Sequence, residues 1–515
     1  MGAHGKRRLA FRRHGAAASI VLICFALAAC DFGTGRPEPL TYDEAVKRVT
    51  FDGGFATVDF SNLNRHDIYL VRINSSGLPV PGGNAGGVTQ FLSGYAAVQN
   101  FNANPPPVDM EMRHNAGAAA DIVPRDIGGK KNFWVEKNIA DDSWEQRPAV
   151  LAAAGEHGNI WVMEENMPAG AGENIISTAQ AEEMAKKFDE IYRLTTNLLG
   201  HEYGGGPDGD GGMDGDKKIQ ILIYDFYDPA YEADGPRYAG FFYVKDFYTQ
   251  AELDSERLGW KTNLAEMFYL NARTVIDSPD FAYTTLIHEM QHMINFNGKF
   301  IKHGLNSGDW YNEMLSMLAE DVIAPLIGIG RNHPSHPISL RIPSFLNSYY
   351  RSGITEWRNF YSTAYAFGAY LVRNYGGPEL LKRMLENDEV DVESVTTALK
   401  EFSEDMDFEK ALDRYGEALI FSGSSMPNDI VTFDRTVTGT VNGQRYTAYG
   451  FDIWKMRRYS TEEIGPLVPD FEPASMRPHS VIIQSIAEWK NKTGNFSITL
   501  ERPADQNVIF YLMAR

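Results

Sequence analysis

Hydrophobic and polar positions along the chain follow two periods, one after the other. From Val49 to about Gln99 they alternate in short runs, Ala56-Thr57-Val58-Asp59-Phe60 and Asp67-Ile68-Tyr69-Leu70-Val71-Arg72, which predicts a small β domain over 49–100. Residues 101–129, with Pro105-Pro106-Pro107 and an Ala/Gly-rich patch, read as a linker. Strand candidates follow at Phe133-Trp134-Val135 and Asn159-Ile160-Trp161-Val162-Met163, then a helical period over 179–199. The apolar run Ile219-Gln220-Ile221-Leu222-Ile223-Tyr224 predicts a buried strand, and two more strands are expected near 239–244 and 267–271. Ser278-Pro279-Asp280 has the order of N-cap, first-position proline and first-turn acid, with Asn297-Gly298 as the expected stop. Between them Ala282, Leu286, Met290 and Met293 form a stripe that can bury a helix. Asp309 to Asp321 repeats the amphipathic period, and Pro325 marks its end. From about 428 short strand runs return, as in Ser480-Val481-Ile482-Ile483 and Ser497-Ile498-Thr499-Leu500. The expected class is α+β, a mixed sheet with helices over 130–427 between a small β domain and a C-terminal β-sandwich-like domain over 428–515.

The amino-terminal stretch changes where this fold is expected to reside. Lys6, Arg7, Arg8, Arg12 and Arg13 precede an apolar run from Ala16 to Ala26, the order of an export signal over 1–29. That run is short of the roughly twenty residues a membrane span takes. It closes on Leu27-Ala28-Ala29-Cys30, which resembles the lipobox of bacterial lipoproteins. The resemblance implies lipidation of Cys30, a tether over 30–48, and a cell-envelope location; the outer membrane or cell surface is favoured over the inner membrane, and the sequence leaves the leaflet open. An ordinary signal cut after Ala29 is the alternative. Cys24 and Cys30 are the only cysteines, so a mature chain has no disulfide, no thiol nucleophile and no cysteine metal site. The net charge of −20 becomes about −25 once the five basic leader residues are gone. Such a surface is repelled by nucleic acid and by anionic headgroups, leaving the lipid at Cys30 as the membrane contact.

The helix from Pro279 carries the chemistry. His288 and His292 are four residues apart with Glu289 after the first, an HExxH pattern. Residues four apart lie one above the other on a helix, so both imidazoles can reach one metal ion. Glu289 lies one position round, near enough to touch a water on that ion without ligating it. A catalytic zinc then needs a third protein ligand and an open position for water. With no cysteine for that task a carboxylate must serve, and Glu313 is the candidate. Glu320, two turns further on the same face, can accept a hydrogen bond from the far nitrogen of a ligating histidine. The plainer alternatives are polar core histidines and a solvated helix carboxylate.

His288-Glu289-Met290-Gln291-His292 followed by Trp310-Tyr311-Asn312-Glu313 resembles the gluzincin peptidases, whose third ligand is the glutamate of a W-x-N-E helix. The longer runs from His288 to Asn297 and from Asn312 to Asp321, with Asn263 to Leu270 upstream, are similar to the hyicolysin family of neutral metallopeptidases. The resemblance covers roughly 130–425. It departs in a slightly longer spacing from His292 to Glu313, and in Met314 where glycine is frequent. It implies a zincin-like domain and an endopeptidase hydrolysing extracytoplasmic proteins, with Zn2+ held by His288, His292 and Glu313 and with Glu289 as the base. Tyr361-Ser362-Thr363-Ala364-Tyr365-Ala366-Phe367-Gly368-Ala369 resembles the stretch in which gluzincin aminopeptidases carry a tyrosine near the metal. That likeness points to Tyr365 as oxyanion donor, with Tyr361 one turn away as the alternative. By the same resemblance, Ala239-Gly240-Phe241-Phe242-Tyr243 is the edge strand expected to hold a peptide. The rival reading is a surface-binding lipoprotein that keeps the scaffold without turnover.

One loop stands apart. Asp208, Asp210, Asp214 and Asp216 lie among glycines, a composition suited to the oxygen shell of Ca2+, although the EF-hand offsets are absent. A solvated turn is the plainer reading. His201-Glu202 begins like a metal motif, but no histidine stands four residues after His201, so it reads as structural.

Overall fold

A computed structural model describes residues 40–52, 54–61, 66–81, 126–138, 143–225, 239–256, 259–356, 361–425, 429–459, 461–469, 475–487, 496–501 and 507–515. The expected leader over 1–29, Cys30, most of the tether and most of the linker lie outside these residues. The described chain is α+β. Its strands begin with β1 (Val46–Arg48), β2 (Phe55–Phe60), β3 (Ile68–Asn74) and β4 (Val80–Pro81). The central sheet follows, from β5 (Lys130–Asn138), β6 (Ser143–Ala154), β7 (Gly158–Met163), β8 (Ile219–Tyr224), β9 (Gly240–Phe242) and β10 (Met267–Asn271).

The order across that sheet is β5-β6-β7-β8-β10-β9. β7, β8 and β10 run parallel, and the other pairs are antiparallel. Every residue of β7, β8 and β10 is buried, as parallel strands covered on both faces require. β6 was not among the expected strands. Pro148 and the Ala-rich run 152–154 hide it from pattern reading, and the structure shows why it is tolerated. Pairing of β6 with β7 begins at Ala149, so Pro148 lies where only β5 is alongside and no ladder bond to β7 is lost.

Helix α1 (Thr178–Leu199) packs on β6 and β7; Ser177 and Gln180 close its first turn reciprocally. Two short helices, α2 (Gln250–Ser255) and α3 (Ala272–Asp277), precede α4 (Pro279–Asn295). α4 packs against α1, β9 and α5 (Asp309–Ile323). The expected stop at Asn297-Gly298 is absent, because the backbone widens there into a π-helical turn over Phe296–Ile301. Two anchors hold that turn: the Asn297 amide donates to the His201 carbonyl, and Lys299 Nζ donates to the carbonyls of Met384 and Asn387. The chain leaves only at Gly304, whose φ of +67° suits glycine. Then come α6 (Pro337–Ser348), α7 (Tyr361–Asn374), α8 (Pro378–Glu386), α9 (Asp391–Phe402) and α10 (Phe408–Phe421).

The two flanking β domains expected from the sequence are instead built jointly. The C-terminal strands are β11 (Val437–Val441), β12 (Gln444–Ala448), β13 (Ser475–Met476), β14 (Val481–Ala487), β15 (Phe496–Glu501) and β16 (Val508–Ala514). β3 lies between β14 and β16, β1 pairs with β16, and β2 pairs with β15. Residues 42–48, expected as tether, form a helical turn and β1. The reason is burial: every residue of β3 is buried, and a strand buried on both faces needs partners on both edges. α10 covers this sheet at a contact so close that a Cβ on Gly416 would come within 2.6 Å of Val71 Cγ1. The β11–β12 hairpin belongs to the central body, not to a terminal domain. Asn197 of α1 donates to the Val441 carbonyl, and the Tyr446 hydroxyl donates to the Leu194 carbonyl. Among the described residues no helix is long and apolar enough to cross a membrane.

Candidate metal centre

α4 and α5 cross so that the histidine face of one meets the first turns of the other. His288 Nε2 lies 3.0 Å from Glu313 Oε2, and His292 Nε2 lies 3.6 Å from Glu313 Oε1. One ligand atom from each of the three residues falls within 4.8 Å of the others, a group able to hold a metal ion. Both imidazoles are buried, and the Glu313 side chain is only 13% exposed. Each histidine is held from behind. Glu320 Oε1 sits 2.7 Å from His288 Nδ1, and Ser316 Oγ, itself bonded to Gln291, sits 3.1 Å from His292 Nδ1. The Glu320 contact fixes the proton on Nδ1 and turns Nε2 toward Glu313. Ser316 was not found from sequence; its position three residues after Glu313 on the same helix is the signal available.

Met314, where related helices often have glycine, is accommodated from across the contact. A Cβ on Gly368 of α7 would come within 2.6 Å of Met314 Cγ, so the missing side chain on one helix makes room for the other. Glu289, next to His288, does not join the three. Its Oε2 accepts a 2.7 Å hydrogen bond from the Phe242 N–H, which places the carboxylate against edge strand β9.

The local charges fit a cation. Burial disfavours the charged form of His288, but Glu313 and Glu320 outweigh it and raise the imidazole to about 10. Burial, against the pull of Glu313, takes His292 down to about 4. Burial works against charge on Glu313 too, yet His292 and His288 hold it below the usual carboxylate range. Burial lifts Glu289 to about 7, with His288 opposing. The cluster thus draws one positive charge to a point faced by two nitrogens and a carboxylate. That donor set suits a divalent transition metal.

Residues 142–451 match the peptidase M30 family. The chain belongs to that family. The M30 region runs from the start of β6 to just past the β11–β12 hairpin, taking in the whole centre and leaving out the terminal sheet. The chain is also similar to the neutral metalloprotease ShpI of Staphylococcus hyicus, at 25% identity over 280 residues. That match takes in 51% of this chain and 56% of ShpI, so the chain spans little more than half the length of this curated relative.

Two other expected sites also lie within the M30 region. Tyr365, expected as oxyanion donor, is fully buried. Burial and the Asp321 carboxylate raise its hydroxyl well above the ordinary range, with Arg373 opposing. Asp321 and Arg373, 2.8 Å apart and both inaccessible, occupy the interior between α5 and α7, and Tyr365 belongs with them. Tyr361, one turn earlier, is partly exposed, and the Arg341 guanidinium lies 5.3 Å above its ring.

The aspartates expected as calcium ligands serve their own loop. Asp210 accepts from Gly212 N–H and Asp214 from Asp216 N–H, while Asp216 accepts from Lys218 N–H and from the Asn159 amide. Asp208 lies exposed at the loop surface. These bonds give the turn reading, in which short acidic side chains cap backbone N–H groups. Glu202, read as structural, accepts from the Tyr192 hydroxyl inside the same region.

Proposed function

We propose that the chain is a zinc-dependent endopeptidase of the zincin type. The observation that carries this reading is the meeting of His288, His292 and Glu313, with the carboxylate of Glu289, next to His288 on α4, against the edge strand. Held by those three residues, zinc would lower the pKa of a water and polarise a peptide carbonyl. Everything else is the work of the chain. Glu289 takes the proton from the attacking water and passes it to the leaving amine, a task for which a carboxyl lifted to about 7 is well matched. Glu320 and Ser316 hold the imidazoles in orientation. Tyr361, the more exposed of the two tyrosines, supplies the hydroxyl for the oxyanion. A peptide adds antiparallel to β9, whose outer edge already carries Glu289. The leader and Cys30 support a lipid-anchored protein of the cell envelope acting on extracytoplasmic proteins.

The test is hydrolysis of casein by the purified protein with and without zinc, beside Glu289→Gln. The amide keeps the size of the side chain and cannot accept the proton. Zinc content should therefore stay at one per chain while turnover falls by orders of magnitude. A protein that binds zinc, leaves casein intact and retains partners on its surface would support the surface-binding reading instead.

A further inference from the structure

The Arg341 side chain, on α6, stands between the metal cluster and the first turn of α7. Its guanidinium lies 5.3 Å above the Tyr361 ring, and its charge helps to hold Glu313 below the ordinary carboxylate range. Other part-buried arginines of the body are matched: Arg373 with Asp321, Arg414 with Glu417, Arg458 with Glu463. Arg341 has neither an ion pair nor a hydrogen bond among the described residues, and its Nε is enclosed with no acceptor. A half-buried guanidinium without an acceptor is costly unless something from outside supplies one. In a chain of net charge −20, with Glu313 near enough to feel its charge, a carboxylate of the chain could have filled that role and does not among the described residues. The Tyr361 ring meanwhile restrains the fork, so little ordering would be needed when a planar anion arrives.

We propose that Arg341 is a specificity-determining residue that receives a carboxylate of the peptide substrate beside the metal centre. The inference rests on the peptidase reading for the identity of the ligand as a peptide. Two sources offer the same chemistry, an acidic side chain near the scissile bond and a free C-terminus. A fork-to-carboxylate pair is short, charge-assisted and directional, so it separates glutamate from glutamine more sharply than a surface charge does.

The experiment measures peptide binding by calorimetry on zinc-loaded Glu289→Gln protein, in which hydrolysis is suppressed. The probes are short neutral peptides carrying one Glu at successive positions, their Gln counterparts, and the same peptides with free or amidated C-termini. At one position, or at the C-terminus, the carboxylate form should bind about tenfold or more tighter than its amide. Adding Arg341→Gln should bring that ratio close to one, and Arg341→Lys, which keeps charge without the fork, should leave it in between. The free C-terminus is the source if only amidation removes the preference, and an acidic side chain if only Glu to Gln does. Equal binding of both forms to the Arg341 protein overturns the proposal with no variant needed. So does a preference that survives in Arg341→Gln, or an equal loss for acidic and neutral peptides, which would mark a structural role. Casein turnover by the protein with Glu289 intact is scored separately. Turnover without a carboxylate preference refutes this inference alone, and a preference without turnover refutes the peptidase reading alone.

Discussion

Replacing Glu320 with Ala tests the centre through a residue that holds one of the candidate ligands without being one. Glu320 is buried, and its Oε1 is 2.7 Å from His288 Nδ1. It keeps the Nδ1 proton in place, so that Nε2 presents its lone pair toward the point shared with Glu313 and His292. Loss of such an outer partner costs about 10- to 100-fold in metal affinity, or roughly 1.4–2.7 kcal/mol. A second, separable cost falls on the fold. A buried N–H left without an acceptor destabilises by about 1–3 kcal/mol, which lowers the melting temperature of the metal-free protein. Glu320→Gln should be milder on both counts, because its amide oxygen can still accept from Nδ1 and only the charge is gone. Zinc affinity is read by competition with a chromogenic chelator, and stability by melting in EDTA. Glu320→Ala holding zinc as tightly as the parent, with the variant folded, would mean that His288 orientation is set elsewhere.

Three further outcomes are expected. His288 is raised to about 10, so zinc must displace its proton, and below that pH apparent affinity should rise about tenfold per pH unit between 6 and 8; an affinity flat with pH would contradict this. Tyr361→Phe should lower kcat by about tenfold or more with KM little changed, whereas Tyr365→Phe should keep activity and lose only some stability; the reverse pattern would restore Tyr365 to the cleft. Burial raises Asp214 to about 7, so its contribution to stability is complete below its ordinary 3.8 and lost as pH rises toward 7; Asp214→Asn should flatten the melting temperature over that window, and an unchanged slope would show that another group sets it.

The parts of the site written in local spacing were legible in the sequence. His288 and His292 are one helical turn apart, and Glu313 and Glu320 two turns, so each pair shares a face wherever its helix lies. Caps and periodicity likewise placed α1, α4 and α5 closely. What stayed hidden depends on distant residues. Tyr361 and Tyr365 are equivalent as a pattern, and only the fold shows that Tyr365 is buried near Asp321 and Arg373 while Tyr361 is partly exposed. The partners of β3 are more than 400 residues away in the chain, and short alternating runs carry no address. Composition likewise cannot show that Asp210, Asp214 and Asp216 accept from backbone N–H groups of their own loop. The N–H of Phe242 that meets Glu289 has no side-chain signature at all.

The placement of Glu313 illustrates how far a metal ligand depends on its surroundings. It stands in the second turn of α5, and its reach to the two histidines depends on how α5 is held along its length. One turn past Ser316, Glu320 ties α5 to His288; beside it Asp321 ties α5 to α7 through Arg373. Arg373 in turn donates to the carbonyl of Tyr449, just after β12, and β12 ends a hairpin that hydrogen-bonds to α1. The contacts run from α1 to the hairpin, to Arg373 and Asp321, and so to α5; the Asp321–Arg373 and Glu320–His288 links are buried and those to the hairpin part-buried. Removing one member of a buried ion pair of this kind leaves an uncompensated charge and costs about 3–5 kcal/mol. The hairpin thus touches α1 and, through Arg373 and Asp321, the helix that carries Glu313, and it lies within the M30 match, which ends at residue 451.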